Sequence, residues 1–221
     1  MASERAGREA VVVRGGMPRP LHYAGRVAVV ALGLFVFALG VTLNLRSGLG
    51  LGPWDVLHQG ISRRTPLTFG QASVATGALV IAAGLLLRVR PGVGTVMNMA
   101  LIGLFVDRIL GARLIPPVAP YGPVAQLLVD ALGVLLVGLG SGLYMRGGLG
   151  AGPRDGLMLG LHRLTGRRIA LTRTALEAIV AATGFLLGGT LGLGTLVFAL
   201  GVGPAVELGF RLCGVPAHSG P

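Results

Sequence analysis

The stretch Gly48-Leu49-Gly50-Leu51-Gly52-Pro53-Trp54-Asp55 occurs again one hundred positions later, as Gly148-Leu149-Gly150-Ala151-Gly152-Pro153-Arg154-Asp155. The same shift carries Arg46 onto Arg146, Gly60 onto Gly160, Thr65 onto Thr165, Gly94-Thr95 onto Gly194-Thr195 and Asp107 onto Glu207. Without a gap, 23 of the 65 pairs from Arg46 to Leu110 are identical. Glycine and leucine are common enough here to match by chance. The weight therefore rests on Pro53/Pro153, Asp55/Asp155 and Thr95/Thr195. A match of that length is a duplication, and it requires a fold built from two related halves.

Composition names the solvent of those halves. Only 12% of the 221 residues are charged and 52% are hydrophobic, whereas soluble domains carry about 25% charged residues. Too few charges remain to cover a water-facing surface, so much of the chain must face lipid. The net charge is +11, supplied by arginine alone. Those arginines punctuate long apolar runs, which is the pattern of cytoplasmic anchoring and not of a nucleic-acid footprint. One cysteine, Cys213, excludes an internal disulfide and a cysteine metal cluster, and the four histidines have no ligand spacing. No nucleophile triad, HExxH or phosphate loop is present, so the sequence gives no reason to expect an enzyme, a cofactor or a metal.

The expected fold is all-α and polytopic: six transmembrane helices in two inverted three-helix repeats, each with a short helix begun by glycine and proline. Residues 1–23 read as a basic cytoplasmic tail, and the first apolar run reads as a retained span, not a cleaved signal. The first repeat covers 24–113, with spans near Val27–Leu45, Phe69–Leu87 and Val93–Arg108. A proline-rich connector follows at 114–122. The second repeat covers 123–211, with spans near Pro123–Met145, Ala170–Leu187 and Leu193–Phe210; a short tail occupies 212–221. The short helices, Pro53 to about Arg63 and Pro153 to Leu164, cannot cross a bilayer, which needs about 20 residues. They either lie at the interface or dip in as half-helices.

With the N-terminus inside, fourteen arginines fall on the cytoplasmic side and five outside. That bias predicts a multi-pass protein of the bacterial cytoplasmic membrane with both termini cytoplasmic. Three spans per repeat is an odd number. The second repeat must then enter from the opposite face, with the Asp55 helix outside and the Asp155 helix inside. Many secondary transporters use that symmetry, because two such halves can exchange conformations around a central site.

The candidate substrate-binding residues are Gly50, Gly52, Trp54, Asp55, His58, Thr95, Asn98, Asp107, Gly150, Gly152, Asp155, Thr195 and Glu207. Glycine-lined breaks would present helix N-termini to a ligand. Each candidate also has a structural reading. Gly52 and Gly152 suit N-caps, Pro53 and Pro153 the first helical position, and Asp55 and Asp155 the first turn. Thr95 and Thr195 suit caps, and Asn98 an interhelical hydrogen bond. Trp54 suits the interfacial aromatic belt, and Arg154, its counterpart, the cytoplasmic side. Asp107 and Glu207 occupy equivalent positions near helix ends, next to Arg108 and four residues before Arg211. Glu177 is a candidate proton carrier, but it lies four residues after Arg173 and can pair with it. Asp130 stands on the fourth span opposite Val30 in the other half.

At these residues the chain resembles the YczE-like bacterial integral membrane proteins, related more distantly to the YitT group. The resemblance rests on Gly48-Leu-Gly-Leu-Gly-Pro-Trp-Asp55-Val-Leu-His-Gln-Gly60 and on Pro91-Gly-Val-Gly-Thr95 with Asn98, Gly103 and Asp107. It covers nearly the whole chain after the tail. The second copy departs from it: Arg154 replaces Trp, Met158 replaces His and Phe198 replaces Asn. The resemblance implies small-molecule export, linked in some members to antibiotic or lipopeptide production. The expectation is a secondary transporter or exporter in the lipid bilayer, coupled to a proton or ion, with no nucleic-acid partner and a homo-oligomer left open. The alternative is a non-transporting accessory or regulatory membrane protein that acts through a partner.

Overall fold

The computed structural model describes residues 22–215. Of the expected basic tail, residues 1–21 with Arg5, Arg8, Arg14 and Arg19 lie outside the described residues, as do residues 216–221, while Tyr23 already opens the first helix. Within them the chain is helical throughout: α1 (Tyr23–Ser47), α2 (Pro53–Arg64), α3 (Phe69–Leu86), α4 (Val93–Gly111), α5 (Pro123–Arg146), α6 (Pro153–Thr165), α7 (Ile169–Leu186) and α8 (Leu193–Cys213). A single 3₁₀ turn, Ala119–Tyr121, sits in the connector, which is tied to the end of α1 by Val118 N donating to Arg46 O at 2.9 Å. All but α2 and α6 are long and apolar enough to cross a membrane, six helices in total. At 1.5 Å per residue an 18-residue helix spans about 27 Å, whereas a 12-residue helix spans about 18 Å, little more than half of a hydrocarbon core of about 30 Å.

Local chemistry sets the breaks. α1 ends at Gly48, whose φ of 71° is left-handed and stops the helix. The chain then passes Gly50 at φ 118°, and the second half repeats this at Gly150 with φ 128°. Side chains rarely adopt that geometry, so the duplicated glycines fix the direction in which each short helix leaves. Extended Gly52 and Gly152 then meet Pro53 and Pro153 at the first helical position, where a missing N–H costs nothing. Thr68 and Gln71 form a capping box that starts α3.

Lipid is as apolar as leucine, so helices in it associate through close backbone approach and polar contacts. The hundred-residue register continues into α1 and α5, where Gly33 and Gly40 match Gly133 and Gly140. These glycines form the crossing. A Cβ on Gly33 would lie 2.9 Å from Gly140 O, and a Cβ on Gly40 would lie 2.6 Å from Gly133 O. The low number of one helix thus meets the high number of the other, and α1 and α5 run antiparallel.

Contacts across the crossing come in exchanged pairs. Arg26 Nε donates to Gly147 O at 2.9 Å, and Gln126 Nε2 donates to Ser47 O at 2.7 Å. Gly94 N donates to Leu149 O at 2.8 Å, and Gly194 N donates to Leu49 O at 2.9 Å. Beyond this core, α4 packs on α1 as α8 packs on α5, and α2 packs on α7 as α6 packs on α3. Each short helix therefore leans on a long helix of the other half.

Candidate functional site

The first turns of α2 and α6 meet. Trp54 and Arg154 are the second residues of their helices, and the Arg154 guanidinium carbon lies 4.7 Å from the Trp54 ring centroid. A guanidinium over an indole face is a cation–π contact. Around it is a cavity of about 30 Å³, lined by Trp54, Asp55, His58, Ser73, Thr76, Asn98 and Arg154 among others. That is room for one or two waters. Its wall draws on α1, α2, α3, α4 and α6, so both halves contribute.

Several polar groups at the cavity lack partners. Trp54 is 5% exposed and its Nε1 has no acceptor; His58 is 2% exposed and its Nδ1 makes no hydrogen bond. His58 Nδ1 lies 3.4 Å from Asp55 Oδ1. Burial pulls the imidazole below its ordinary range, against the opposing pull of Asp55, so this is a contact with a neutral ring. The ring also stands edge-on to Phe69 at 5.7 Å between centroids. Asp55 is 8% exposed and sits in the first turn of α2, whose first intrahelical bond is Val56 N to Gly52 O at 2.9 Å. Its charge therefore faces the free N–H groups of its own helix. In α6 that role is explicit: Asp155 Oδ2 accepts from Gly152 N at 3.1 Å.

The structure brings together Trp54, Asp55, His58 and Asn98 at the cavity. The remaining candidates hold the frame. Gly50 packs against the start of α8, where a Cβ would fall 2.8 Å from Thr195 Oγ1, and Gly52 lies under the Phe198 ring. Gly150 accepts from the Tyr144 hydroxyl at 2.9 Å, and Gly152 is the α6 cap. Thr95 Oγ1 accepts from Gly92 N at 3.1 Å and donates to Ala151 O at 2.6 Å; Thr195 Oγ1 accepts from Gly192 N at 3.2 Å. Asp107 accepts from Thr68 Oγ1 at 2.5 Å and from Gly70 N at 2.8 Å, which caps α3. Glu207 pairs with Arg211 at 2.6 Å, and Glu177 pairs with Arg173 at 3.0 Å. None of Asp107, Glu207 and Glu177 lines the cavity.

Two expectations are corrected. Trp54 does not belong to an exposed aromatic belt; it is buried against Val80 and Val180. Arg154, expected as a charge on the cytoplasmic side, is instead half-buried and stacked on that tryptophan. The reason is common to both. Positions 54 and 154 are equivalent in the two halves, and the packing makes equivalent first turns touch. Sequence reading also passed over Ser73 and Thr76 of the cavity wall, and over the environment of Asp130. That carboxylate is fully buried, accepts from Ser47 Oγ at 3.0 Å and has a second oxygen without a partner. Its match to an apolar valine in the first half hid its contact with the last residue of α1.

Six apolar helices of spanning length, breaks made by duplicated glycines and a small polar cavity between two short helices define a multi-pass integral membrane protein. The family is equally plain: residues 24–210 match a family of unknown function, DUF6198, and the chain belongs to it. It is 38% identical over 181 residues to a Haemophilus influenzae protein described as uncharacterized, covering 82% of this chain and 81% of that one. It is 36% identical over 170 residues to the uncharacterized membrane protein YczE of Bacillus subtilis, covering 76% of this chain and 77% of that one. The Bacillus subtilis protein YyaS is 28% identical over 167 residues, 75% of this chain and 83% of that one. No solved structure matches.

Proposed function

We propose that the protein is a small-molecule secondary transporter or exporter built from two halves inserted in opposite directions. The cavity between α2 and α6 is its central site. Both termini face the cytoplasm, α2 rises toward the outer face, and α6 descends toward the inner one. The antiparallel pairing of α1 with α5, with its exchanged hydrogen bonds, is the observation that carries this reading. Two related halves related by an in-plane axis can swap conformations, and the swap exposes one site to each side in turn. The half-helix N-termini meeting at the cavity supply fixed positive ends where a ligand would sit. No bond-making step belongs to the proposal.

The accessory-protein reading has less to stand on. Gly33, Gly40, Gly133 and Gly140 make their close approach to one another, and Gly138 and Gly142 pack on α8, so these glycines are not available to a partner helix. Two experiments test the transport reading. In a background where Cys213, buried, is replaced by serine, Ser73→Cys places a thiol on the cavity wall. Alternating access predicts that a membrane-impermeant thiol reagent reaches it from either face of sealed vesicles. In proteoliposomes, Asp55→Asn with Asp155→Asn should abolish solute flux while abundance and helicity persist. A thiol reactive from one face only, in every condition, would count against alternation.

A further inference from the structure

We propose that the central cavity binds a small zwitterion, with an ammonium group against Asp55 and a carboxylate group against Arg154; this rests on the reading of that cavity as the central site. Asp55 and Arg154 both line it. They carry opposite charge, yet the ion pairs among the described residues do not include one between them, and neither side chain makes a hydrogen bond. The neighbouring charges are already matched: Arg173 holds Glu177 at 3.0 Å, and Asp155 takes the Gly152 N–H at 3.1 Å. Asp55 thus faces the neutral His58 ring at 3.4 Å and Arg154 the Trp54 ring at 4.7 Å, and neither holds an opposite charge in direct contact.

Position explains why they do not collapse onto each other. Asp55 is fixed in the first turn of α2, facing that helix's positive end, and Arg154 is held on the indole face of Trp54. Each stands on a different half. An isolated ion away from bulk water is costly even after relaxation. A ligand with one charge satisfies one of the two and leaves the other exposed to that cost. A ligand with both charges a few bonds apart satisfies both. The unpartnered Trp54 Nε1 donor stands near the guanidinium, and the Asn98 and Ser73 side chains complete a polar wall. The cavity of about 30 Å³ is no larger than one or two waters, so a zwitterion must lift Arg154 off the ring and widen the space.

The chain contains one tryptophan, and it is the residue that Arg154 covers. Its emission therefore reports occupancy directly. The experiment uses the full-length protein in lipid nanodiscs, titrated with each of the twenty amino acids, beginning with glycine and L-alanine, and with propionate and propylamine. The expected result is a saturable change with an amino acid, at least about tenfold tighter than with either singly charged analogue. Arg154→Gln should reverse the order in favour of propylamine, and Asp55→Asn in favour of propionate, while Arg154→Lys keeps the amino-acid preference. Circular dichroism certifies that each variant is folded. Equal affinity of the wild type for an acid or an amine alone would overturn the proposal, as would an unchanged order in both variants. So would the absence of a saturable response to any of the twenty amino acids. Flux of a neutral or singly charged solute without zwitterion binding would sink this inference and leave transport standing. Zwitterion binding without counterflow would do the reverse.

Discussion

The α1–α5 crossing can be tested by asking which glycines share a contact. A Cβ added to Gly33 would fall 2.9 Å from Gly140 O and 2.9 Å from Leu143 C, both backbone atoms. It would press harder still on the Tyr144 backbone N; atoms in contact prefer about 3.5–4.0 Å, so the helices must part by roughly an ångström or more. Overpacking of that kind costs about 1–3 kcal/mol per site. Gly33→Ala and Gly140→Ala act on one contact. Once either has parted the helices, the second adds little, and the double variant should cost about as much as one single. Gly33→Ala and Gly133→Ala act on different contacts, seven residues apart along the helix, or about 10 Å. Those two costs should add to within about 0.5 kcal/mol. The assay is unfolding of the purified protein in mixed micelles, followed by Trp54 emission and fitted as a double-mutant cycle. A parallel crossing would couple Gly33 to Gly133 and leave Gly33 independent of Gly140. That result would refute the antiparallel packing.

Asp107→Ala removes the acceptor for Thr68 Oγ1 and Gly70 N, so it should destabilise by about 1–2 kcal/mol, the usual cost of a lost cap, while leaving ligand titrations unchanged. Glu207→Gln breaks an ion pair whose side chains are 57% and 74% exposed, so thermal unfolding should shift by no more than about 0.5 kcal/mol equivalent and flux should persist. Ser47→Ala leaves the buried Asp130 carboxylate without a hydrogen bond, and denaturation should show a loss of about 1–3 kcal/mol.

Much of the architecture was legible because it was written twice. Gly50 and Gly150 share a backbone conformation that sequence reading could anticipate only as a break, and Pro53 and Pro153 start helices as their chemistry requires. Glu207–Arg211 and Glu177–Arg173 follow from four-residue spacing alone. The cavity was less legible. Asn98, His58 and Asp55 stood out as polar residues in apolar company, but Arg154 looked like one more cytoplasmic arginine. What the linear pattern lacks is the axis between the halves. Residues near that axis meet their own counterparts, so Trp54 finds Arg154, although nothing in the spacing of either says so. Asp130 escaped for a related reason: its partner, Ser47, lies 83 positions away, across the crossing.

Sidedness of the two short helices tests the account at its root. Arg64 and Leu164 are equivalent, exposed and at the far ends of α2 and α6. In a Cys213→Ser background, single cysteines at Arg64→Cys and Leu164→Cys can be challenged with an impermeant maleimide in intact cells and again after permeabilisation. The account predicts that position 64 labels in intact cells and that position 164 labels only once the membrane is opened. Labelling of both positions from the same face would contradict it.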